Sequence, residues 1–241
     1  MENQIDVFNN KIVCITGSRR GVGKNLVEFF IQKGARVIGI SRTIDDFRHD
    51  NFYSIQGDIS NAEDMKKAFV EIKNKFGTVH ILLNNAGISH SSQALFLTVE
   101  KASEMININF LGAFIVSKEA AKLMMKSKFG RIVNIGSICS TVEPIGASIY
   151  SATKAALHSL SNSLAKEFST FNITSNTIAL SPFPTDMLNT ISQKDIDWYL
   201  NEQKIKRLAT IDDITNVVDF FCSEKSAFIT AQFIQLGGIS T

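Results

Sequence analysis

Cysteine is scarce in this chain and poorly placed for cross-linking: Cys14, Cys139 and Cys222 stand far apart and form no C-x-x-C pair. A sparse, odd set excludes a disulfide framework and points to reduced thiols. Excess charge is missing too: 25 Lys and Arg face 23 Asp and Glu, for a net charge of +2. Pairs such as Lys66-Lys67 lie beside Glu63-Asp64, so no broad field draws in a polyanion and nucleic-acid binding is not expected. Apolar runs never approach the ~18 residues that a membrane helix needs. The start, Met-Glu-Asn-Gln-Ile-Asp, lacks the basic and apolar stretches of a signal peptide, so a cytoplasmic protein is expected. His49, His80, His90 and His158 show no ligand spacing, and no metal site is expected.

What the chain does contain is a regular alternation of short apolar strands with longer helical patterns. Strand candidates are 11–16, 36–40, 52–56, 79–83, 131–135, 173–179 and 232–236. Helical segments follow the Gly-rich turn after the first strand, and recur near 61–75, 99–126, 150–170 and 211–222. Nearly continuous apolar strands imply a parallel sheet covered on both faces. The expected fold is α/β, a single doubly wound parallel sheet of Rossmann-like form, with residues 1–241 making one domain. Residues 181–207 break the rhythm, holding Pro182, Pro184 and Trp198 among polar residues. They are expected to be an irregular lid at the carboxyl edge of the sheet, where such folds bind ligands.

Gly17, Gly21 and Gly23 fall between the first strand and its helix. Glycine there lets the backbone approach a pyrophosphate, whose charge is favoured by amides at the helix N-terminus. Ser18, Arg19, Arg20 and Val22 complete the turn. At the end of the second strand stand Ser41 and Arg42, not an acid. An arginine there suits the 2′-phosphate of NADP, whereas an acid would grip the ribose diol of NAD. NADP (NADPH) is therefore favoured over NAD. Further along, Tyr150 and Lys154 lie four residues apart on a helical pattern, and so share a face. A neighbouring ammonium makes a phenol a usable proton donor and acceptor.

These segments together resemble the single-domain short-chain dehydrogenases/reductases. Thr16 to Gly23 is similar to the family's T-G-x-x-x-G-x-G turn, Asn84–Gly87 to its N-N-A-G segment, and Asn109, Ser137 and Tyr150-x-x-x-Lys154 to its catalytic set. The resemblance implies that Tyr150 exchanges a proton with the substrate oxygen while Ser137 hydrogen-bonds it. It also implies that Lys154 lowers the phenol's pKa and holds the nicotinamide ribose, and that Asn109 helps bind a relay water. Asp58 and Ile59 would contact the adenine, Asn85, Ala86 and Gly87 the cofactor's edge, and Thr185 the carboxamide. A homotetramer or homodimer is implied, through helices bearing Phe110, Phe114, Leu123, Leu157, Leu160 and Leu164, which are equally candidates for the core.

Two departures from the family stand out: Leu180-Ser181 in place of Pro-Gly, and Leu236 in place of an acid before Gly237-Gly238. The late segments look most like bacterial 3-oxoacyl-[acyl-carrier-protein] reductases, which implies an acyl thioester substrate and acyl carrier protein as a candidate partner. Lys128 stands where one docking base is expected, but Phe171 occupies the other position. A sugar, polyol or small ketone remains an alternative substrate, and a non-catalytic NADP-binding regulatory module an alternative role. Residues 138–149, with Cys139, Val142, Glu143 and Ile145, are expected to line the pocket, with Trp198 and Leu200 either covering it or packing the lid onto the body.

Overall fold

The computed structural model describes residues 8–184, 188 and 191–239. Seven parallel strands form one sheet in the order β3-β2-β1-β4-β5-β6-β7. They are β1 (Ile12–Thr16), β2 (Arg36–Ser41), β3 (Phe52–Gln56), β4 (Ile81–Asn84), β5 (Gly130–Ser137), β6 (Ile173–Leu180) and β7 (Phe233–Gln235). Helices α1 (Gly21–Gln32), α2 (Ala62–Phe76), α3 (Val99–Ile106), α4 (Ala113–Ser127), α5 (Cys139–Val142), α6 (Ser148–Phe168), α7 (Gln193–Glu202) and α8 (Ile211–Cys222) connect them. Each face of the sheet carries its own apolar cluster. One includes Cys14, Ile38, Leu82 and Ile132 with α2 and α4; the other includes Val13, Val37, Leu83 and Val133 with α1 and α8. That alternation is the period-two geometry of strands buried on both sides. The doubly wound α/β fold is as expected.

The order of strands reverses between β1 and β4, which opens a crevice at their carboxyl ends. Five of the site's segments start there: the Gly17–Gly23 turn, Ser41-Arg42, Asn85–Gly87, Ser137 and Ser181. The helical stretch expected over 99–126 is one continuous rod, but its middle, Asn107–Gly112, is a π-helix. The wider turn carries Asn109, and π turns of this kind gather at functional sites. Ile59 packs against it, because a Cβ at Gly112 would lie 2.9 Å from Ile59 Cδ1.

The segment 181–207 is not wholly irregular, because α7 forms inside it. Ser192 caps that helix by accepting from the Asp195 amide, a local signal that the prolines before it obscured. Three of the residues named for an interface belong to the core instead: Leu123, Leu157 and Leu164 are buried, while Phe114 remains exposed. Among the described residues, no helix is long and apolar enough to cross a membrane.

Candidate active site

The cofactor end is built on an uncapped helix. Helices α2, α3, α7 and α8 each have a side chain accepting from their first amides, but the Arg20 N-cap of α1 makes no such bond. No acid stands in its first turn either. Those amides keep their partial positive charge for an anion. Gly17 has φ +67° and a Cβ on it would lie 3.0 Å from Ala86 Cα, while a Cβ on Gly23 would collide with the Gly17 carbonyl. The turn is thus pressed onto the segment after β4 and accepts no side chain. Val22 turns partly inward onto the core, and the Ser18 hydroxyl is buried beside Gly39 without a hydrogen-bond partner.

Asn85 does its work inside the protein. Its Nδ2 donates to the carbonyls of Thr16 (2.9 Å) and Gly17 (3.1 Å), while the Thr16 hydroxyl accepts from the amides of Asn85 (3.0 Å) and Ala86 (3.1 Å). The Asn85 side chain therefore braces the Gly17–Gly23 turn. Asp58 is similarly engaged: its Oδ1 accepts from the amide and hydroxyl of Ser60.

At the far end of β2, the Arg19 guanidinium donates to the Thr43 hydroxyl, next to Arg42. Arg19, Arg20 and Arg42 are all exposed at this corner. Ser41 donates to the Thr43 carbonyl at 2.8 Å and helps shape the loop. The nearest acid down the loop, Asp45, is buried and accepts from the Phe47 amide at 3.0 Å. It is spent on its own loop rather than turned to a ribose. The glycine cradle, the open amides and the basic corner all fit a dinucleotide.

The reacting end is assembled from β5, α5 and α6. Lys154 is 5% exposed, and its ammonium donates to the Ile135 carbonyl at 2.8 Å. Gly87 faces it: a Cβ there would sit 3.4 Å from Lys154 Nζ and 3.3 Å from Asn109 Oδ1. Burial lowers the Lys154 pKa from 10.5 to about 8. Tyr150 stands one turn earlier, with Lys154 Nζ 5.8 Å from its ring centre. Burial pushes its phenol well above the ordinary value, the neighbouring Cys139 adds to that, and a hydrogen bond with Ser137 works against it. Desolvation is the largest influence on the phenol and outweighs the Ser137 hydrogen bond.

Ser137 ends β5, with its Oγ accepting from the Cys139 amide at 3.2 Å. The buried Asn109 pairs with a single backbone unit, accepting from the Ile88 amide (2.8 Å) and donating to its carbonyl (2.9 Å). Its Nδ2 also donates to Thr153 Oγ1 at 3.2 Å, which ties the π-helix to α6. The carboxamide thus clamps the loop after β4 onto the helix that carries Tyr150 and Lys154.

Thr185 lies outside the described residues. Glu143 is exposed in a left-handed conformation at φ +46°, and points to no internal partner. Trp198 is 38% exposed, whereas Tyr199 is buried against Ile138, Cys139 and Tyr150. Trp198 is the larger aromatic, but a one-residue step on a helix turns the side chain by about 100°. Only the burial pattern of α7 could have selected Tyr199.

Known proteins are similar along the whole chain. The family described as short chain dehydrogenase matches residues 11–196. The chain is 32% identical over 237 residues to the 3-oxoacyl-[acyl-carrier-protein] reductase FabG of Escherichia coli, across 96% of this chain and 97% of that one. It is 34% identical over 235 residues to the FabG of Buchnera aphidicola subsp. Baizongia pistaciae, across 95% and 96%. A solved short chain dehydrogenase of Leptospira borgpetersenii serovar Hardjo-bovis, with bound NAD+, matches with a TM-score of 0.88 at 26% identity, over 99% of this chain and 95% of that one.

Proposed function

The chain belongs to the short-chain dehydrogenase family of oxidoreductases, and from that premise we propose that it is an NADPH-dependent reductase of a 3-oxoacyl thioester. The observation that carries this reading is the cluster of the buried Ser137 and Lys154 with the half-buried Tyr150, beside Gly87 and at the mouth of a crevice that fits a dinucleotide. The amides of the Gly17–Gly23 turn would hold the pyrophosphate, and Arg19, Arg20 and Arg42 the 2′-phosphate. A bound nicotinamide supplies the hydride.

The remaining steps belong to side chains. Ser137 donates a hydrogen bond to the ketone oxygen and stabilises the charge that develops there. Tyr150 gives its proton to that oxygen. Its raised pKa keeps the phenol protonated across the neutral range, which suits donation and hence the reductive direction. An ammonium has three donors; Lys154 spends one on Ile135, and the other two would serve the ribose and the phenolate left after transfer. Asn109 holds the α6 frame and the Ile88 loop in register.

Acyl carrier protein is the partner this reading names, with Lys128 as one docking base. The loops of Lys128 and Phe171 do meet, since Asn172 Nδ2 donates to the Lys128 carbonyl at 3.0 Å. Phe171, however, packs onto the core and offers no charge. That favours, as a second reading, a small ketone or a thioester on a smaller carrier. The three buried, unpaired cysteines are consistent with a reducing compartment, and so with the cytoplasm.

The test is oxidation of NADPH by purified protein with a short 3-oxoacyl thioester, NADH in parallel. Turnover with NADPH at least tenfold above NADH is expected, as is its loss in Tyr150→Phe with NADPH binding kept. Equal use of both cofactors would remove the NADP assignment. Turnover of small ketones without turnover of the thioester would leave the second reading.

A further inference from the structure

The geometry points to Tyr199 as a specificity-determining residue whose hydroxyl donates a hydrogen bond to the thioester carbonyl of the substrate, two carbons from the ketone that Tyr150 serves. This deepens the 3-oxoacyl reading above and rests on it. Helix α7 turns Gln193, Lys194, Asp195, Asp197 and Glu202 to solvent, leaves Ile196 and Leu200 half-buried, and buries a single residue, Tyr199. The phenol enters an apolar cluster with Ile138, Ala179 and Cys139, with Tyr150 packed against it. Among the described residues its hydroxyl meets only the Cys139 sulfur, at 3.4 Å.

Sulfur is a weak hydrogen-bond partner. A buried phenol so matched is underused, and a carbonyl oxygen brought into the pocket would be the better acceptor. Burial and the neighbouring Cys139 hold the Tyr199 hydroxyl protonated, as a donor must be. Cys139 lies two residues beyond Ser137, and its amide donates to the Ser137 hydroxyl. The two phenols thus pack on one cluster around Cys139. A 1,3-dicarbonyl presents one oxygen to each; a simple ketone can use only the Tyr150 side.

Tyr199 is also held in place. The lid leaves the sheet at Ser181, whose hydroxyl donates to the Leu236 carbonyl at 2.6 Å. It returns at Gln203, which bridges to Ile239, and at Lys204 and Ile205, whose amides donate to the Gly237 carbonyl at 3.0 and 3.1 Å. One C-terminal segment thus ties both Ser181 and the residues that follow α7. The donor is set before substrate arrives, so little ordering cost attends its use.

The experiment compares Tyr199→Phe with the unaltered protein on two substrates, a short 3-oxoacyl thioester and a methyl ketone of similar size, with NADPH and a thermal melt of each protein. Expected is a roughly tenfold or greater fall in kcat/KM for the thioester, carried mainly by KM, with the ketone rate and the melt unchanged. An equal fall on both substrates would mean that Tyr199 only packs the lid, and no fall on either would overturn the assignment outright. An unaltered protein that reduces the ketone but not the thioester overturns the substrate reading first, and Tyr199 with it.

Discussion

Lys154 shows at the scale of one residue how function is held against stability. An ammonium that titrates near 8 in the fold and near 10.5 when exposed is costly to bury at neutral pH. Between those two values the unfolded chain binds a proton that the folded one has released, so stability from this group rises with pH across that window. Below about 8 the cost is fully present. Lys154→Met removes the charge and keeps the length. We expect it to abolish turnover while raising the melting temperature at pH 7 by a few degrees, on the order of 1 kcal/mol. Melts at pH 7 and 9.5 check this: the gap between variant and parent should shrink at the higher pH, and a less stable variant would refute it. The same titration should place a falling limb near pH 8 on kcat/KM for reduction, since the phenolate formed by Tyr150 then loses its ammonium. The identity and spacing of this pair were legible in the sequence. Its electrostatics were not, because desolvation depends on everything packed around the two side chains.

The elements place these residues by a simple rule. Parallel strands send their carboxyl ends to one edge, so segments from β1, β2, β4, β5 and β6 meet there although up to 164 residues of chain separate Gly17 from Ser181. The two departures from the family pattern meet at the same edge. Ser181 hydrogen-bonds the Leu236 carbonyl, Leu236 returns its amide to Ala179 at 3.0 Å, and the Leu180 and Leu236 side chains pack on one cluster. A hydroxyl where the family has glycine thus becomes a tie for the lid. Ser181→Gly should loosen α7. The expected result is a several-fold higher KM for substrate, with kcat less affected, and faster amide exchange around Tyr199. Unchanged exchange in α7 would show that the amides of Lys204 and Ile205 suffice to hold the lid.

For the whole molecule, the unanswered surface is apolar. Ile106, Leu111 and Phe114 are 43%, 40% and 39% exposed along the rod that carries Asn109, and Leu95, Phe96 and Ile145 stand further out beside the site. Apolar groups concentrated in this way are usually covered by a partner. A dimer or tetramer is expected by light scattering at micromolar concentration; a monomer would remove that expectation.

By itself the sequence determined the fold class, the sheet and the positions of the phosphate turn and the Tyr150–Lys154 pair. Each of these is written in short-range form: apolar period, glycine spacing, or two side chains one helical turn apart. Tertiary structure alone decided that Asn85 braces the turn, that Asn109 clamps Ile88, and that Tyr199 rather than Trp198 faces the site. It also decided that Leu123, Leu157 and Leu164 are core. These depend on contacts between residues far apart in the chain, such as Tyr199 with Cys139. No local pattern encodes which face of a polar helix will find an apolar pocket 60 residues away.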